Sequence, residues 1–167
     1  MAENLNFNSG ITINLISAGA VAGATNTITT TVNTLSVING KFTTVYAAAA
    51  TVASPILDGS TGVGFLPLVP SKTCALVIGI NQAGAMKMCQ GPIIDTRVGL
   101  TTVVGDFINA PQFPELPDDF CPLAYTVVRT APSALPWTPG TGAWAASGVS
   151  CSTFRNVGQL PNRPQVT

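Results

Sequence analysis

The sequence predicts an all-β protein: a single-domain β-sandwich or barrel of short antiparallel strands, with an extended N-terminal arm and a proline-rich C-terminal tail. Three observations predict it. β-Branched residues crowd the runs "TNTITTTVNTLSVI" and "LAYTVVRT", a composition that fits a pleated, half-buried surface and loses side-chain freedom in a helix. Asn39-Gly40, the dipeptide that supplies the positive φ angles of a type I′ turn, stands between two strand-like runs in "SVINGKFTTVY". Glycine and proline, 16 and 13 of 167 residues, interrupt the remainder at short intervals, the punctuation of strands and turns.

Taken in order, residues 1–34 are expected to be an extended N-terminal arm or β segment, 35–158 a β-rich body and 159–167 a C-terminal tail. Residues 11 to 38 read as strands, followed by the Asn39-Gly40 hairpin. The alanines of "AAAATVAS" favour a helical turn or two, ended by Pro55. "LDGSTGVGFLPLVPSK" is a long loop with Phe65 and Leu66 as inward anchors. "TCALVIGINQAGAMKMCQG" predicts a second hairpin pairing Ile80 with Ala85, which sets Cys74 and Cys89 on one face but out of register for a disulfide. "TRVGLTTVVGDF" predicts a further strand pair or bent strand, "LAYTVVRT" a strand, "APSALPWTPGTGAW" a loop holding both tryptophans, and "GVSCSTFRNV" a last strand. Six to nine strands are expected in all.

A chain of 167 residues and 17.1 kDa suffices for one core. Its composition is 46% hydrophobic but only 8% charged, against about 25% in an ordinary domain. Seven Lys and Arg balance seven Asp and Glu and are scattered, so phosphate backbones find no basic cluster and nucleic-acid binding is not expected. The apolar runs break well before the roughly 20 residues of a membrane span. "MAENLNFNSG" lacks the basic region that opens a secretory signal. Zero net charge does little to keep free molecules apart and favours life in an assembly. Cys74, Cys89, Cys121 and Cys151 form no CxxC pair, so buried apolar thiols in a reducing compartment are expected rather than a zinc site.

The sequence contains no histidine, so a Ser-His or Cys-His dyad is impossible. Carboxylate chemistry would have to draw on Asp58, Asp95, Asp106, Glu115, Asp118 or Asp119, and "LPDDF" reads as an Asp-rich turn. "GSTGVG" lacks the Gly-Lys-Ser/Thr of a phosphate loop. In "NAPQFPELPDDFCP", Pro111, Pro114 and Pro117 recur every third residue, the repeat of a polyproline II helix. This is either a peptide ligand or a stiff strap, and the strap reading pins Phe113, Leu116 and Phe120 into the core or a neighbour. Trp137 and Trp144 serve the core, an interface or stacking on a sugar.

In "APQFPELPDDFCPLAYTVV", then "WTPGTGAWAASGVS", then "VGQLPNRPQV", the chain resembles a group of tailed-bacteriophage structural proteins. "INGKFTTVYAAA" and "CALVIGINQAGAMKMCQGPI" resemble the same group, so the likeness spans roughly residues 35 to 167. The resemblance implies a capsid decoration, or cement, protein: a non-enzymatic virion component, assembled in the host cytoplasm, that binds the outside of a phage capsid and bridges its subunits. It implies partnership with the major capsid protein and with itself as a homotrimer, and no cofactor, metal, nucleic acid or membrane. On this reading the candidate partner or subunit interface comprises Phe113, Pro114, Leu116, Pro117, Trp137, Trp144, Leu160, Pro161, Arg163 and Pro164. The alternative is a head-fibre or tail-tip module that binds a host receptor or glycan through the tryptophan loop.

Overall fold

Two long strands form the spine of the molecule. In a computed structural model that describes residues 10–43, 46–48 and 51–166, β7 (Lys72–Asn81) and β10 (Phe120–Thr130) pair antiparallel along almost their whole length. The shorter strands are β1 (Ile13–Asn14), β2 (Val21–Ala22), β3 (Thr27–Thr29), β4 (Ser36–Ile38), β5 (Lys41–Phe42), β6 (Thr51–Ala53), β8 (Met86–Gln90), β9 (Ile94–Asp95), β11 (Val149–Cys151) and β12 (Arg155–Asn156). They make three sheets: β11-β10-β7-β8 with β12 on β10 and β9 on β7, then β1-β4-β5, then β2-β3-β6. All the strand pairs are antiparallel, and the described residues contain no helix. The all-β expectation therefore stands, with twelve strands among the described residues instead of six to nine.

Successive residues of a strand point to opposite faces, and β7 is buried on both. Cys74, Leu76 and Ile78 join Met88, Ala124 and Val128 on one side, where Ile28, Leu68, Trp137, Trp144 and Phe154 cover them. On the same side Ile80, Cys121 and Leu123 meet Ala18 and Ile38. On the other side Val77, Cys89, Phe120 and Tyr125 lie under Phe113, Leu116, Val157 and Leu160. Residues 10–34, the described part of the expected arm or β segment, carry β1 to β3 and bury Ala18, Ala20, Ile28 and Thr30 completely.

Pro122 lies inside β10 and has no N–H to give the ladder, so it is tolerated only where pairing is broken. The register against β7 shifts between Pro122 and Ala124, a bulge that brings Ala124, three positions after Cys121, to the same side of the sheet as Cys121. Opposite Pro122 is Gly79. A Cβ there would stand 2.5 Å from Phe120 Cζ and 2.2 Å from Cys121 O, so only glycine lets the Phe120 ring lie across the strand.

Several expectations need correction. "AAAATVAS" is not helical where it is described: Thr51–Ala53 is β6, paired with β3 and tied by a 3.0 Å hydroxyl contact between Thr29 and Thr51. Sheet pairing overrides alanine's local preference; residues 44–45 and 49–50 lie outside the described set, as do the expected arm's residues 1–9 and tail residue 167. Leu66 is not an anchor but 66% exposed; Leu68, fully buried, joins Phe65 instead, because Leu68 and Trp137 exchange backbone hydrogen bonds of 2.7 and 3.0 Å. Residues 96–107 form a reversal held by the Thr96–Phe107 bridge and Arg97 N to Asp106 O at 2.8 Å, not a strand pair. The last strand is two, β11 and β12: Ser152 still bonds to Val127 of β10, and beyond it the Phe154 ring packs edge-on against Trp144.

The second hairpin forms one residue out of the expected register. Ile80 pairs with Met86, not Ala85. Gly84 adopts φ 78 and its N–H donates to Asn81 O at 2.8 Å, while Asn81 N donates to Ala85 O at 3.0 Å. This is a three-residue loop with its last residue in the left-handed region. A one-residue slip moves every side chain to the other face, so Cys74 and Cys89 lie on opposite faces of the sheet, and all four cysteines are free.

Candidate interface: the proline strap, the tail and the tryptophan pair

Tyr125 organises the strap. Its position on β10 points the ring to the face opposite the tryptophans, and at 1% exposure it is a floor for whatever crosses that face. Phe113 meets it edge-on, with centroids 5.0 Å apart and planes at 83°, the arrangement that brings a ring's positive edge to the other's negative face. Leu116 packs on the same cluster. Pro114 and Pro117 are half-buried, as are Phe113 and Leu116, whereas Gln112, Glu115, Asp118 and Asp119 are exposed. The three-residue repeat therefore shows one edge to the sheet and the other to solvent. Gly91 makes the crossing possible: a Cβ on it would stand 2.4 Å from Gln112 O. The strap ends in a turn closed by Phe120 N to Pro117 O at 3.1 Å, which accommodates Asp118 and Asp119.

The tail lies beside the strap. Leu160 packs on the Val77–Tyr125 cluster, Pro164 is buried, Pro161 is half-buried, and Arg163 is exposed. Gln165 N donates to the Tyr125 hydroxyl at 3.1 Å. Arg163 and Pro164 border a hollow of about 370 Å3 whose opposite wall is Ala110 and Pro111. Strap and tail thus share Tyr125, one through its ring and the other through its hydroxyl.

Trp137 and Trp144 lie on the far side of the sheet. They are 3% and 5% exposed, their centroids 5.6 Å apart, and Phe154 meets Trp144 edge-on at 5.2 Å. Each indole N–H is spent internally, Trp137 Nε1 on Ala143 O and Trp144 Nε1 on Thr27 O, both at 2.9 Å. Neither ring offers a face for a sugar. The ten candidate residues therefore divide into two groups separated by the sheet: strap and tail together, tryptophans apart.

The carboxylates are dispersed. Asp58 is buried and accepts from Ser60 N at 2.8 Å and Gln90 N at 3.3 Å, a cap for its own loop. It and Glu115 both line a groove of about 840 Å3 between residues 58–66 and the strap. Asp95 pairs with Lys72 near the surface. Burial pushes the thiols of Cys74, Cys89 and Cys151 up to about 12 and raises that of Cys121, so the protonated, unreactive form dominates at neutral pH.

Sequence reasoning missed Asn156. Its amide accepts from Ala20 N at 2.6 Å and donates to Ala20 O at 3.1 Å, imitating one rung of a ladder between β12 and the N-terminal sheet. No local signal marks such a residue, since its partner is 136 positions away. Also unforeseen was the buried polar knot in which Thr34 Oγ1 and Ser36 Oγ donate to Asn14 Oδ1 at 2.6 and 3.2 Å. Compared with protein-family models, curated proteins and solved structures, the chain matches none.

Proposed function

We propose that this protein is a non-enzymatic virion component that binds the outer surface of a bacteriophage capsid and stabilises it by bridging capsid subunits. The motifs at 110–128, 137–150 and 157–166 support the reading by their resemblance to tailed-phage structural proteins. The observation that carries it is an apolar surface on a chain only 8% charged and with no net charge. Val98, Leu100 and Leu135 are 82%, 76% and 83% exposed, and Ser133 N donates to Thr101 O at 3.0 Å, holding the two loops that bear them side by side. Exposed apolar clusters of this kind are found where a protein meets another.

On this proposal the body is a β-sandwich whose second layer is the pair of small N-terminal sheets, and it works as a homotrimer on the major capsid protein. A protein that binds only the assembled shell stabilises it by mass action. The fastened strap and tail serve as scaffold, leaving the loop tips as the adhesive surface. The test is cosedimentation of purified protein with expanded capsids, with light scattering for its own mass: binding at a fixed ratio by an oligomer is expected. A monomer that ignores capsids and binds host cells would overturn the proposal.

A further inference from the structure

Among the described residues, two strand edges have no further strand paired to them along the seam between the sheet β2-β3-β6 and the large sheet. β2 is the outer strand of one and β11 of the other, and both border a cleft of about 510 Å3. In an antiparallel pair, hydrogen-bonded and non-hydrogen-bonded residues alternate. Gly23 N donates to Thr27 O at 2.8 Å, while its neighbour Ala22 stands opposite Ile28; the backbone N–H and C=O of Ala22 therefore turn away from β3. Ser152 N donates to Val127 O at 2.9 Å, while Cys151 stands opposite Val128; the backbone groups of Cys151 likewise turn away from β10. Two positions earlier, just before β2, the equivalent groups of Ala20 are taken by the Asn156 amide. The seam is stitched at Ala20 and open at Ala22.

The chemistry of the cleft specifies what closes it. None of its lining residues carries a charge, and Trp144 and Phe154 belong to its wall. Open edges are ordinarily guarded by lysine, proline or a bulge; Val21–Gly23 and Val149–Cys151 have no lysine or proline. Backbone N–H and C=O groups in a row are met in full by another backbone. A charged side chain brought into an uncharged cleft loses its hydration without a partner.

We propose that this cleft is a binding site for an extended, uncharged peptide strand of another protein, which adds to the open edges at Ala22 and Cys151 by β-augmentation. Main-chain hydrogen bonds supply the attraction, and the uncharged wall selects small or β-branched side chains. The Asn156 amide marks where the added strand stops. The site is on the side of the sheet away from the strap and tail, and the inference stands independently of the capsid reading.

The probe is a fluorescein-labelled, N-acetylated peptide copying residues 27–33, which is uncharged and β-branched, titrated into the full-length protein. A saturable rise in anisotropy with a change in tryptophan emission is expected. Affinity should fall at least about tenfold when alternate peptide amides are N-methylated, because each methyl removes a main-chain donor, and should fall similarly in Ala22→Pro. The methylated peptide keeps the test decisive should that variant misfold. No saturable binding, or equal binding of the methylated or a glutamate-substituted peptide, would overturn the proposal. So would a mass that rises with concentration in the wild type alone, which would assign the cleft to a second copy.

Discussion

The Phe113 and Tyr125 rings meet edge to face at 5.0 Å, and the same tyrosine's hydroxyl accepts the backbone N–H of Gln165. One residue of the central strand thus fastens both proline-rich segments, so ring and hydroxyl can be separated by mutation. Tyr125→Phe keeps the strap and loses one hydrogen bond to the tail. The expected cost is about 1 kcal/mol, with proteolysis beginning sooner after Leu160. Phe113→Ala removes a half-buried ring and should cost about 2–3 kcal/mol in denaturant unfolding, below the range for a fully buried phenylalanine.

Two glycines with opposite surroundings test whether the strap is held against β8. Gly91→Ala places a Cβ 2.4 Å from Gln112 O, an overpacking worth about 1–3 kcal/mol. At Gly64 nothing lies within 4 Å of the added carbon, so Gly64→Ala should stay within about 0.5 kcal/mol of the wild type. Thermal melts of the pair provide the comparison.

How far these features were legible depends on whether their cause is local. The Asn39-Gly40 hairpin was, because its turn needs two residues at positive φ, here 51 and 74, and the dipeptide encodes that need by itself. The β7–β8 hairpin was legible as a hairpin but not in register, because "NQAG" allows either a four- or a three-residue loop and Gly84 chose the latter. The strap's inward residues, Phe113 and Leu116, could be read from the proline spacing. That Tyr125 receives them, and that the tryptophans lie across the sheet from them, depends on long-range pairing no short stretch records.

The thiols give a pH dependence with a definite sign. Burial raises Cys74, Cys89 and Cys151 from the ordinary value of 9.0 to about 12. The folded chain therefore keeps these protons after the unfolded chain has lost them. Stability is whole below pH 9 and falls as pH rises toward 12, by roughly 1.4 kcal/mol per pH unit for each thiol at most. Urea midpoints at pH 8 and pH 10 should show the drop, and a triple Cys→Ala variant should show less. At pH 8 a thiol reagent should react slowly with the native protein and with all four cysteines once it is unfolded.

Asn156 is predicted to matter more than its half-buried position suggests. Asn156→Ala leaves the N–H and C=O of the fully buried Ala20 without their partner, at a cost of about 1–3 kcal/mol. Hydrogen exchange should quicken in β2, β3 and β6 while β7 and β10 stay protected, because the lost rung joins the N-terminal sheet to the rest.

On the proposed reading this chain coats a capsid. Counting its copies per virion by quantitative mass spectrometry against the major capsid protein tests it most directly. A fixed stoichiometry of the same order as the capsid protein is expected. A handful of copies, or none in purified particles, would contradict it.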